Sequence, residues 1–160
     1  MVRIYLETLI HAPCKRCFDL SRSIELHKLS TQKTQEEAMA GTTTGLIELG
    51  EWVTWRARHF GVMQKMTVKI TALESPHFFQ DQMQRGIFKS FLHNHSFESQ
   101  ADEQTLMKDE LFFEAPLGLL GRAVERWVLK KYLTRFLAER NSLIKAVAES
   151  DQWRDVPGME

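Results

Sequence analysis

The stretch FKSFLHNHSFESQADEQTLMKDELFFE, residues 88–114, reads as two strands and the turn that joins them. Apolar and polar side chains alternate on both sides of Gln100-Ala101-Asp102, which is the period of a half-buried strand. Strand positions of one parity share a face, so Phe91, His93, His95 and Phe97 stand together and Leu92, Asn94 and Ser96 oppose them. A turn centred on Ala101 pairs Phe97 with Thr105, which sets His95 opposite Met107, His93 opposite Asp109 and Phe91 opposite Leu111. The expectation is a buried face on which a His93/Asp109 pair sits among aromatic residues.

Outward from this hairpin the pattern repeats. Residues 51–60, 63–72 and 77–84 are strand-like, and Gly61, Ser75-Pro76 and Arg85-Gly86 punctuate them as turns. Connections this short make an antiparallel meander rather than a parallel βαβ sheet. Residues 2–11 alternate Val2, Ile4 and Leu6 against Arg3, Tyr5 and Glu7, a first strand. Pro13 then opens a helical turn, and Phe18, Leu20, Ile24 and Leu26 supply one or two short helices as far as residue 29. The Thr- and Gln-rich segment 30–44 reads as loop with one weak strand at 36–40. After Pro116, residues 117–149 carry the long helical pattern: Leu129, Tyr132, Leu133, Phe136, Leu137, Ile144 and Val147 form one stripe, while Leu117, Leu120, Val124 and Trp127 lie roughly opposite. Residues 1–150 are therefore expected to form one α+β domain, with 151–160 a loose tail.

Composition narrows the function classes. The 160 residues are 43% hydrophobic and 26% charged, enough for a core that needs neither disulfide nor metal. The 21 basic residues cancel the 21 acidic ones, which removes the basic excess expected of a general nucleic-acid binder. Arg3 and Glu7 interrupt the opening apolar stretch, and no run of 18 apolar residues occurs, so a cytoplasmic protein without integral membrane association is expected. Zero net charge still hides an asymmetry, because residues 98–114 are acidic and residues 122–149 basic.

Cys14 and Cys17 read as C-x-x-C, and His11 extends the motif to H-x-x-C-x-x-C. A closed zinc site needs a second ligand pair, and a redox C-x-x-C belongs where a strand feeds a helix in a βαβ unit. Neither context is present, so the two thiols read as ordinary residues on the first turns of a helix. G-x-S-x-G, Walker and G-x-G-x-x-G patterns are absent as well.

The order of strand, two short helices, antiparallel meander and long C-terminal helix is the outline of the helix-grip fold, a curved antiparallel sheet wrapped around the final helix. The runs IHAPCKRCFDLSRSIELH (10–27), VTWRARHFG (53–61), FFQDQMQRGIFKSFLHNHSFE (78–98), TLMKDELFFEAPLGLLG (105–121) and LKKYLTRFLAERN (129–141) carry the likeness further. In them the chain resembles the START-like polyketide cyclase/dehydrase (SRPBCC) superfamily, in particular its widespread bacterial branch. The resemblance implies a cavity for hydrophobic molecules between the sheet and the long helix. Relatives of that kind include lipid and sterol carriers, plant hormone receptors and aromatic polyketide cyclases, so the activity has to be argued from residues.

The residues offer three readings. In the first, a hydrophobic or amphipathic small molecule, lipid included, binds in the cavity. Trp52 or Trp55, Phe79, Phe91, Phe97, Met107, Phe113, Tyr132 and Phe136 are its expected apolar lining, and His93, Asp109, His59 and Asp81 its polar contacts. In the second, a cyclase- or dehydratase-type enzyme uses a histidine base, for which His93, Asp109 and His59 are the catalytic candidates. In the third, the early apolar turn at 117–124 docks a protein partner. His93 and His95 also have the H-x-H spacing of metal ligands, with Asp109, His59 or Asp81 as a third. The spacing alone assigns no metal, and no cofactor is expected. A homodimer is compatible with all three readings.

Overall fold

The computed structural model of the chain describes residues 1–116 and 125–159. Seven strands form one antiparallel sheet: β1 (Val2–Ile10), β2 (Glu37–Gly41), β3 (Trp52–His59), β4 (Val62–Glu74), β5 (Phe78–Arg85), β6 (Ser90–Ser99) and β7 (Thr105–Glu114). Their spatial order is β1-β7-β6-β5-β4-β3-β2, so the chain leaves one edge, starts again at the other and walks back by consecutive hairpins. Register shifts at Ala38/Ala40, Thr67/Val68 and Ile70/Ala72 are bulges, which bend and twist the strands that carry them and curve the sheet.

Two short helices fill the gap after β1: α1 (Cys14–Arg22) and α2 (Ile24–Ser30). Pro13 stands just before α1 in an extended conformation, and Ser23 breaks the pair by capping α2, its hydroxyl accepting from the Leu26 amide at 3.2 Å. Cys14 and Cys17 are free and buried in α1, and burial pushes the Cys17 thiol up to about 11, far from a reactive thiolate.

The long helix α3 (Lys130–Ala148) follows a single π-helical turn at Glu125–Leu129. The expected helix start and the apolar turn at Leu117, Leu120 and Val124 lie outside the described residues. Along α3 the apolar stripe has two duties. Ile144 and Val147 join the main core with Ile10, Phe18, Phe97 and Met107. Leu129, Tyr132, Leu133, Phe136 and Leu137 cover a cavity instead. A smaller cluster of Ile4, Leu111, Phe113 and Leu137 closes the other side. The tail is not loose. Asp151–Asp155 forms a 3-10 turn, Trp153, Val156 and Met159 pack on the main core, and the Arg16 guanidinium lies 4.2 Å above the Trp153 ring.

Candidate functional site

Between sheet and helix lies a cavity of about 350 Å³. Most of its wall is apolar, including Val53, Trp55, Val68, Ile70, Phe79 and Leu133, and among the polar residues that interrupt it two clusters carry titratable side chains in contact with one another.

The first group is built on β5, β6, β7 and α3. The hairpin turn is centred on Asp102 rather than Ala101, with Ser99 opposite Thr105, because Asp102 and Glu103 both adopt left-handed backbone and lengthen the loop. His95 therefore stands opposite Asp109, and His93 opposite Leu111, two residues from the expected register. A two-residue shift preserves the face. His93 still reaches Asp109 diagonally, with Nε2 2.9 Å from Oδ1. His95 Nδ1 lies 3.0 Å from the same oxygen but off the hydrogen-bonding direction, and its Nε2 is 2.9 Å from Asp81 Oδ2. On the neighbouring strand Asp81 pairs directly with His93, and Phe79 with His95, whose rings stack at 4.1 Å. From α3, Asn141 donates to Asp109 Oδ2 at 2.7 Å and Arg140 Nη1 comes within 3.6 Å of Oδ1.

The electrostatics follow from this packing. Burial alone would raise Asp109, but the two imidazoles against it outweigh burial and hold the carboxyl well below its ordinary range. Asp81 is lowered by the same balance, with burial overcome by the His95 hydrogen bond and the charges of His93, His95 and Arg140. His93 moves down, because burial and the neighbouring His95 exceed the pull of Asp109 and Asp81. A histidine held below its ordinary value of 6.5 is neutral in the fold while the unfolded chain takes up a proton. Stability contributed this way is complete above 6.5 and lost as pH falls. The expected slope for His93 alone approaches about 1.4 kcal/mol per pH unit. A further loss begins below 3.8, where the unfolded chain protonates the aspartates before the fold does. Urea unfolding of chelator-treated protein from about pH 7.5 to about pH 4.5 measures the histidine slope, and His93→Gln should flatten it. An unchanged slope in that variant would refute the assignment.

The second group joins α2, β3 and α3. Glu36 is nearly enclosed, its Oε2 2.7 Å from His27 Nε2 and its Oε1 3.7 Å from His59 Nε2. His59 Nδ1 is 2.7 Å from the Tyr132 hydroxyl, and His27 stacks on Trp55 at 4.2 Å. Burial lowers His59 against the opposing effect of Glu36, and raises Tyr132.

Of the residues singled out in the sequence, Trp55, His59, Phe79, Asp81, Phe91, His93, Tyr132 and Phe136 line the cavity. Phe97, Met107, Asp109 and Phe113 do not, and Trp52 is largely exposed. Phe97 and Met107 are sealed under α1, Phe113 belongs to the smaller cluster, and Asp109 stands behind the two histidines. Sequence reasoning missed His27, Glu36, Arg140 and Asn141. Arg140 and Asn141 did leave a signal: they fall between Phe136, Leu137 and Ile144 on the apolar stripe, where a polar residue needs a buried partner. Glu36 left none, being one acid in a polar loop.

No protein-family model and no curated protein matches the chain. Solved structures do. A START superfamily protein from Mycobacterium smegmatis superposes with a TM-score of 0.70 at 13% identity over 92% of this chain and 97% of its own. The fold is START-like. The START-like arrangement recurs in ginseng major latex-like protein 151 from Panax ginseng, with a TM-score of 0.69, 16% identity and coverage of 93% and 98%. TTHA0849 from Thermus thermophilus gives 0.70, 16%, 92% and 99%. At these identities the likeness is one of fold. Among the described residues, no helix is long and apolar enough to cross a membrane.

Proposed function

We infer that the chain binds a hydrophobic or amphipathic small molecule in the cavity between the sheet and α3. The observation that carries this reading is the cavity itself. At about 350 Å³, apolar over most of its wall with clusters of polar side chains set into it, it has the make-up of a small-molecule site. The bulk of the ligand would contact Val53, Trp55, Val68, Phe79, Phe91 and Leu133. A polar end would meet Asp81 and His93, or His59 and Tyr132.

Ala57 is buried on β3 and its methyl group borders the space. In Ala57→Phe a ring fills part of the cavity, and the affinity for an apolar fluorescent probe, 8-anilinonaphthalene-1-sulfonate, should drop by about tenfold or more. The urea midpoint should change little, because the ring enters space rather than packed atoms. Probe affinity equal to that of the parent chain would remove the cavity reading.

The His93/Asp109 contact favours a second reading, a cyclase- or dehydratase-type enzyme. Asp109 holds one imidazole nitrogen and leaves the other free to act as a base at the cavity wall. In that case His93→Gln would end turnover and leave ligand affinity largely intact.

A further inference from the structure

Asp109 Oδ1 faces a nitrogen of each imidazole, His93 Nε2 at 2.9 Å and His95 Nδ1 at 3.0 Å, while Oδ2 accepts from Asn141. A carboxylate offers only lone pairs, so His93 Nε2 carries the hydrogen it gives Asp109, and His95 Nε2, with Nδ1 off the hydrogen-bonding direction, carries the hydrogen it gives Asp81. In a neutral His93 ring the opposite nitrogen, Nδ1, is then bare. His93 Nδ1 and His95 Nε2 both face one atom, Asp81 Oδ2, at 4.0 and 2.9 Å. Among the described residues, Asp81 has only these two histidines as ion-pair partners within 4 Å; Arg140 is turned to Asp109 and to the Ser21 carbonyl. Two imidazole nitrogens and a carboxylate oxygen converge with one hydrogen among them, the one His95 Nε2 gives Asp81, and a cation would take its place as that hydrogen moves to Nδ1, 3.0 Å from Asp109 Oδ1.

We propose that Asp81, His93 and His95 form a site for a divalent transition metal of the zinc class, with Asp109 holding both imidazoles from behind. One donor atom of each residue lies within 4.8 Å of the other two. Neighbouring donors of a tetrahedral zinc, with bonds of about 2.0–2.1 Å, stand about 3.3 Å apart, between the two spacings that Asp81 makes. Imidazole nitrogen with one carboxylate oxygen suits such an ion better than calcium or magnesium. The carboxylate behind a ligating histidine is the usual means of fixing its tautomer and ring orientation, and here Asp109 Oδ1 is hydrogen-bonded to His93 and lies 3.0 Å from His95 Nδ1. Stacking on Phe79 further restrains His95. Three protein ligands leave a coordination position open, and all three residues line the cavity, so that position faces any bound molecule. Metal on His93 Nδ1 occupies the lone pair that a base would use, which makes the metal site and the enzyme reading exclusive.

The test uses the full chain, stripped with chelator and titrated with Co²⁺. The expected result is saturable uptake of one ion per chain with visible d–d bands that Zn²⁺ abolishes. Asp81→Asn and His95→Gln, each checked for native circular dichroism, should weaken uptake by about 100-fold or more. His77 lies 3.8 Å from the Cys14 thiol and is the competing adventitious position, so His77→Gln should leave uptake unchanged. No saturable uptake, or uptake that survives the Asp81 and His95 variants and falls in the His77 one, would overturn the proposal. The readout needs no organic ligand, so failure of the cavity reading would leave it standing.

Discussion

Asp109→Ala should destabilise the fold by about 3–5 kcal/mol, the range for removing one partner of a buried charge network. Asp109 is 0% exposed and gathers five groups: His93, His95, Asn141 and Arg140 around its carboxylate, and the β1 strand alongside. Without it the Arg140 guanidinium, itself buried, keeps its charge and loses the only carboxylate within 4 Å of it among the described residues. The Asn141 amide loses its short contact too. Asp109→Asn keeps the shape and a carbonyl acceptor but loses the charge, so it should cost less than alanine. Asp109→Leu combined with Arg140→Met should recover part of the loss, because both charges leave together. Urea unfolding of the four proteins measures this. A loss below about 1 kcal/mol for Asp109→Ala would mean that water reaches Arg140, and the network would not be the anchor of α3 on the sheet.

Phe18→Ala should be of similar size, about 3–5 kcal/mol, and should also disturb the cavity. Phe18 is 0% exposed on α1 and meets Phe79 and Phe97 edge to face at 5.8 and 5.6 Å. Its removal opens a void where α1 meets the sheet. Phe79 is at once core residue, cavity wall and stacking partner of His95, so it can relax into that void. The expected outcome is lower stability together with weaker binding of 8-anilinonaphthalene-1-sulfonate. Phe18→Leu, which fills most of the space, should cost less than about 1.5 kcal/mol and preserve probe affinity. Alanine and leucine variants of equal stability would show that Phe18 is not packed as described.

Both variants touch residues whose side of the sheet could be read from alternation alone. In β7 the buried positions Thr105, Met107, Asp109, Leu111 and Phe113 run with strict period two. In β6 Phe91, His93, His95 and Phe97 share the concave side, as residues 88–99 imply. The meander, the two helices after β1 and the weak second strand follow from turn residues and periodicity, which are local signals. The His93/Asp109 contact survived a misplaced turn for a physical reason. An error of two residues leaves parity intact, and a diagonal neighbour on the same face is within reach of an imidazole.

Period two assigns a side chain to a side of the sheet; it does not say what lies above that side. Phe97, Met107 and Phe113 have the parity of His93, yet α1 and the smaller cluster bury them in solid core, while His93 faces open space. Which outcome a position meets depends on where α1 and α3 cross the sheet, and that is set by contacts between residues far apart in the chain, such as Arg140 with Ser21 and Asn141 with Asp109 and Thr8. The same crossing turns α3 from a uniform apolar stripe into half core and half cavity lid. The amino-acid order by itself determined the elements, their faces and the H-x-H pair. Only the tertiary structure decided the shape of the space between them and the convergence of Asp81, His93 and His95 upon it, because long-range packing, not local periodicity, chooses which polar groups are buried together.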